Sequence, residues 1–125
     1  MARVLVVEDE PNIASIIVFK LNREGHDVRW EEAAATVSAA AGEHRPDLVL
    51  LDSTLPDGDA FALLESLRKT TRVVMLTEFR DRATPERARA AGAVATVQKP
   101  FKPTVLAHLV AQLISAPGSA PGDGI

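Results

Sequence analysis

Val4–Asn12 reads VLVVEDEPN: four apolar residues, three acids in succession, a proline and an asparagine. The apolar run suits a strand covered on both faces. Glu8, Asp9 and Glu10 follow it at once. Two unit charges about 4 Å apart repel by roughly 4 kcal/mol at an effective dielectric near 20. Acids crowded at the end of a buried strand therefore need a positive partner. The blander reading is that they complement the positive end of a following helix.

Four further segments have strand character: DVRW (27–30), DLVLL (47–51), RVVML (72–76) and VATV (94–97), after RVLVV (3–7). DVRW alternates, which suits an edge strand, and the others are near-continuous in apolar residues. Helical patterns lie between them. Ile13, Ile16, Ile17 and Leu21 form a stripe entered at Pro11 and stopped by Gly25. Ala33, Val37, Ala40 and Ala41 form a second, ended by Gly42 and Pro46. Ala60, Leu63, Leu64 and Leu67 form a third. Pro85 to Ala91 is a short fourth, with Thr84 as N-cap and Gly92 as the stop. Leu106, Leu109, Val110 and Leu113 form the fifth, entered at Pro103. This alternation argues for an α/β fold: a flavodoxin-like, doubly wound, five-stranded parallel sheet in the order 2-1-3-4-5 with five helices.

The bulk properties narrow the function. A chain of 125 residues holds one domain with one core. A net charge of −3 gives no sign of bulk attraction to nucleic acid or membrane. With no cysteine, disulfides, thiolate zinc sites and cysteine nucleophiles are excluded. The leading apolar run is too short for a signal peptide, and no run is long enough to span a bilayer, so the cytoplasm is the expected compartment. Residues 1–115 read as the domain. Residues 116–125, APGSAPGDGI, read as a tail or a linker to a further domain.

Ligands of open α/β sheets sit beyond the carboxyl ends of the strands, where the strand order reverses. In the order above, that crevice lies between the first and third strands. The first strand ends in Glu8-Asp9, the third in Asp52, the fourth in Thr77 and the fifth in Gln98-Lys99. Three carboxylates, a hydroxyl and an ammonium thus converge on one sheet edge. Lys99 supplies one counter-charge and a divalent cation would supply more. Oxygen ligands without histidine or cysteine favour a hard ion such as Mg²⁺.

VEDE after the first strand, LLDSTLPDGD after the third, MLT ending the fourth and KPF after the fifth together resemble the receiver domain of two-component response regulators. The resemblance covers residues 3 to about 114. It implies that Asp52 is the phosphoacceptor, taking a phosphoryl group from a sensor histidine kinase or phosphotransfer protein. It implies that Glu8, Asp9, Asp52 and the backbone carbonyl of Thr54 hold Mg²⁺. Thr77, the backbone NH of Glu78 and Lys99 would then bind the phosphoryl group. It further implies a cis Lys99–Pro100 bond. Phosphorylation would bias a two-state surface over helix 4, strand 5 and helix 5 toward an output, through a C-terminal effector domain or a separate target. Nucleic acid would be reached only through a missing output domain. Any catalysis is the chain's own phosphorylation and dephosphorylation.

Three positions depart from the family pattern. The usual switch aromatic is Thr96, the commonly alanine position after Thr77 is Glu78, and a usual glycine is Ala60. Thr96 and Glu78 motivate an alternative: a receiver-like interaction module that works without phosphorylation. A flavin carrier on this fold would want a Ser/Thr/Gly-rich phosphate loop where EDEPN stands. A haloacid-dehalogenase-type phosphatase would want an acid where Thr54 stands. His26, His44 and His108 have no partner at ligand spacing and read as surface or satisfied histidines. The stretch Arg68–Arg89, with seven basic and three acidic residues, reads as a solvated face, with a partner-docking or nucleic-acid patch as the sharper alternative.

Overall fold

The computed structural model describes residues 1–115; the expected tail or linker, 116–125, lies outside the described residues. The elements are β1 (Arg3–Val7), α1 (Pro11–Arg23), β2 (Asp27–Glu31), a 3-10 turn (Ala34–Thr36), α2 (Val37–His44), β3 (Leu48–Asp52), α3 (Ala60–Leu67), β4 (Arg72–Thr77), α4 (Thr84–Ala90), β5 (Ala95–Gln98) and α5 (Pro103–Ser115). The five strands form one parallel sheet in the order β2-β1-β3-β4-β5.

Strand side chains alternate between the two faces, and the core divides accordingly. Leu5, Val7, Val49, Leu51, Val73 and Met75 meet α2, α3 and the end of α4 through Val37, Ala40, Leu64, Leu67 and Ala88. Val4, Val6, Leu48, Leu50, Val74 and Leu76 meet α1 and α5 through Ile17, Leu21, Leu106, Ala107 and Val110. This two-sided burial explains the near-continuous apolar runs of β1, β3 and β4. β2 is an edge strand, as its alternation predicts, with Trp30 at 37% exposure.

Some boundaries differ from the sequence reading. α2 runs through Gly42 to His44 and closes on Arg45 in the left-handed region, φ 50°. Pro46 stops the helix there, because the residue before a proline avoids the α region. Thr84 is the first residue of α4 and not its cap: Asp81 accepts from the backbone N–H groups of Ala83 and Thr84 and from the Thr84 hydroxyl. β3 starts at Leu48, and the Asp47 carboxylate just before it accepts from the Arg3 N–H, 2.8 Å away. Gly25 and Gly92, at φ 91° and 110°, close the turns after α1 and α4, where a side chain would be strained.

The register places the site. Val7 pairs with Leu51, Asp52 with Leu76, and Thr77 with Gln98. The residues at and just after these pairs therefore emerge side by side on one edge of the sheet.

Candidate functional site

Glu8, Asp9 and Asp52 present one oxygen each within 4.8 Å of one another. Glu8 and Asp52 are almost wholly buried, at 0% and 1% exposure, and Asp9 is the open member at the rim. Lys99 Nζ reaches both buried acids, 2.7 Å from Glu8 Oε1 and 3.2 Å from Asp52 Oδ1. Its own backbone N–H donates to the Thr77 carbonyl, 2.8 Å away. The Lys99–Pro100 peptide is cis, as the resemblance implies.

The loop after β1 is fixed from two sides. The Glu10 N–H donates to Glu8 Oε2 at 3.1 Å, and the Trp30 indole N–H donates to the Glu8 carbonyl at 2.7 Å. Glu10 also caps α1 by accepting from the Asn12 N–H, with Pro11 in the first turn. Of the three acids, Glu10 therefore serves the helix, and Glu8 and Asp9 face the crevice.

Asp52 is asymmetric. Oδ1 receives the Thr54 N–H and lies near the Thr54 hydroxyl, both at 3.1 Å, in addition to Lys99. Oδ2 is buried with no hydrogen-bond partner, and so is Thr77 Oγ1. A buried polar atom left unpaired costs about 1–3 kcal/mol, more when charged. What Oδ2 can receive here is a proton held by Asp9, or a cation.

The titration behaviour follows. Burial pushes the Glu8 carboxyl up to about 7; Lys99 opposes this and neighbouring Asp52 adds to it. Asp9 is raised, first by the neighbouring Asp52 carboxylate and then by burial. For Asp52, burial acts upward but is outweighed by the neighbouring Asp9 carboxyl, the Thr54 N–H, the Glu8 carboxyl and the charge of Lys99, so it is held below its ordinary value. Burial acts against the Lys99 ammonium, but the two carboxylates outweigh it and raise its pKa. The cluster thus carries negative excess that one lysine does not cancel. Its donors are all hard oxygens, and the unpaired Oδ2 lies among them. These are the requirements of a divalent, oxygen-preferring ion such as Mg²⁺, and the residues present fit one.

Thr96 is not brought to this cluster. It pairs with Met75, and its hydroxyl accepts from Arg89, 3.2 Å away. His26 and His44 are engaged with backbone groups, and His108 is exposed on α5. Two contacts escaped sequence reading. One is the Trp30–Glu8 bond, which depends on the β1–β2 register. The other is a 3.0 Å bond from the Thr54 hydroxyl to Glu78 Oε1. Its only sequence signal is a charged residue directly after Thr77.

A doubly wound parallel sheet with an acidic, lysine-bridged crevice at its switch point defines an α/β domain whose polar groups gather where such sheets bind ligands. Residues 4–111 match the family described as response regulator receiver domain, and the chain belongs to that family. It is 35% identical over 102 residues to the transcriptional regulatory protein PdtaR of Mycobacterium tuberculosis, covering 79% of this chain and 50% of that protein. It is 38% identical over 103 residues to the transcriptional regulatory protein KdpE of the same species, covering 81% of this chain and 46% of that protein. The chain spans about half the length of these curated relatives. Its fold is similar to the BeF3-activated N-terminal receiver domain of Klebsiella pneumoniae RstA, with a TM-score of 0.84 and 27% identity over 91% of this chain and 99% of that one. No helix among the described residues is long and apolar enough to cross a membrane.

Proposed function

We propose that this receiver domain accepts a phosphoryl group on Asp52 in a Mg²⁺-dependent reaction with a histidine kinase or phosphotransfer protein. The observation that carries the reading is the asymmetry of Asp52. One oxygen is anchored by Thr54 and Lys99, the other is unpaired, and the carboxylate clusters with those of Glu8 and Asp9. An anchored carboxylate with one open oxygen is oriented for attack. The new bond joins an Asp52 oxygen to phosphorus as the donor's P–N bond breaks, and the imidazole leaves with the electron pair. Phosphoryl transfer depends on positioning and charge stabilisation more than on covalent assistance.

Glu8, Asp9, Asp52 and the Thr54 carbonyl would hold the ion, which when bound neutralises charge shared by the acids and the incoming phosphoryl oxygens. Lys99 stands beside Asp52 to pair with the new group. Thr77 Oγ1, buried without a partner, is a hydroxyl free to donate to it, alongside the backbone NH of Glu78. The group carries about −2 charge at neutral pH and would draw Thr77 and Lys99 toward it. Because Thr96 is small and tied to Arg89, the signal to α4, β5 and α5 would pass through the backbone that joins Lys99 to Thr77 and not through an aromatic swing. The relatives named transcriptional regulatory proteins support an output domain or target beyond this chain.

Incubation with acetyl phosphate and Mg²⁺, followed by peptide mapping, tests the reading. An acyl phosphate on Asp52, absent from Asp52→Asn, is expected. Failure of every donor to modify the chain favours the phosphorylation-independent interaction module.

A further inference from the structure

The Thr54 hydroxyl lies 3.1 Å from Asp52 Oδ1 and 3.0 Å from Glu78 Oε1. A hydroxyl has one proton, so it can serve only one of these carboxylates at a time. Asp52 Oδ1 already has the Thr54 N–H and Lys99, whereas Glu78 has no ion-pair partner among the described residues. The hydroxyl is therefore the polar side chain that holds Glu78, and it ties a fourth carboxylate to the phosphoacceptor through a single oxygen. Glu78 is half-buried at the end of β4 and lines the same shallow recess as Lys99, with Ile13, Ile16, Phe79 and Pro100. Charge placed there is less screened than at an open surface.

We propose that Glu78 is an electrostatic gate on Asp52, which holds back anionic phosphoryl donors while its carboxylate is bound to the Thr54 hydroxyl. The proposal rests on Asp52 being the phosphoacceptor. A phosphoryl donor brings negative charge into a crevice whose acids already exceed its lysine. Glu78 adds a further unit about one hydroxyl away from Asp52. A partner that pairs Glu78 with a cationic side chain would lift this penalty, whereas a small anionic donor has no means of doing so. The domain would thus discriminate between docked protein donors and free phosphoryl compounds. The same carboxylate adds to the negative field that attracts a divalent cation. Its removal therefore acts in opposite directions on the two ligands.

The test compares wild type, Glu78→Gln and Glu78→Ala with acetyl phosphate as donor at saturating Mg²⁺. The rate of acyl phosphate formation on Asp52 is followed by intact mass and mapping. Mg²⁺ affinity is measured separately by titration of Trp30 fluorescence, and folding is checked by thermal melting. The expected result is labelling about tenfold faster in both variants, shrinking as salt is raised, with Mg²⁺ binding weakened or unchanged. Labelling of Glu78→Gln when wild type stays unlabelled supports the gate equally. Wild type labelled on Asp52 with variants no faster overturns the gate and leaves the phosphoacceptor reading standing. No labelling in wild type or variants overturns both. Slower labelling together with weaker Mg²⁺ binding marks Glu78 as a support of the crevice and also overturns the gate.

Discussion

At Asp52 one oxygen meets the Thr54 N–H and the Lys99 ammonium, while the other has no hydrogen-bond partner. The orientation of the carboxylate is therefore fixed by its neighbours before any ligand binds. Lys99 is the counter-charge for this arrangement and for Glu8. Breaking a buried pair leaves an uncompensated charge, at a cost of about 3–5 kcal/mol when nothing else relieves it. Here Glu8 can take up a proton, so Lys99→Ala is expected to destabilise the metal-free protein by about 1–3 kcal/mol near pH 8 and by less near pH 6. Urea denaturation at the two pH values checks this, and an equal loss at both would count against the coupling of Glu8 to Lys99. Trp30 is the sole tryptophan, and its indole is bonded to the Glu8 carbonyl. Its fluorescence should therefore report on ion binding at Glu8 and Asp9.

Among the elements, β3 is the most demanding, because all five of its residues are buried. Leu51 packs toward α2 and α3 one residue before Asp52. Leu51→Ala is expected to cost about 3 kcal/mol, as a core cavity of that size does, and a denaturant midpoint shift measures it. Arg45 offers the opposite test. It holds φ 50° at the end of α2, and its carbonyl, not its side chain, accepts from Arg3. Arg45→Gly should stabilise by about 0.5–1 kcal/mol, seen as a melting point raised by a few degrees. These elements also show where the sequence was readable. β1, β3 and β4 and their two-sided burial follow from apolar runs that no solvated strand would tolerate, β2 from its alternation, and the strand order from the βα alternation. Asp52, Glu8, Asp9, Thr77 and Lys99 were legible because each stands at or just after a strand end, where parallel registry gathers them. Of the two stops read for α2, Gly42 stands inside the helix, and Pro46 fixes the end by restricting Arg45. The Asp81 carboxylate that accepts from Ala83 and Thr84 ahead of α4 was hidden because a threonine, itself a good cap, stands three residues later. The Thr54–Glu78 contact joins loops far apart in the chain and leaves no local pattern.

For the whole molecule, the site couples stability, pH and metal. The folded-state pKa of Glu8 lies at about 7, above its ordinary 4.5. The stability it contributes is complete below the ordinary value and is lost as pH rises through the folded one. Asp9 is raised as well and acts in the same direction; Asp52 is lowered and stays ionised throughout this window. Metal-free protein in chelator should therefore lose stability between pH 5 and pH 8, by up to about 3 kcal/mol, and Glu8→Gln should flatten the profile. Melting curves across that range check this, and a flat or rising wild-type profile would contradict it. Ion binding must displace the proton from Glu8, so Mg²⁺ affinity should rise with pH up to about 7 and then level off.

The account depends on the crevice taking a phosphoryl group at one aspartate with the help of a divalent ion. Intact-mass spectrometry of the protein after incubation with acetyl phosphate, with Mg²⁺ or with chelator, tests this most directly. One added phosphoryl group with Mg²⁺, none with chelator and none in Asp52→Asn is the expected pattern. No labelling of wild type and Glu78→Gln alike, or equal labelling of Asp52→Asn, would contradict it.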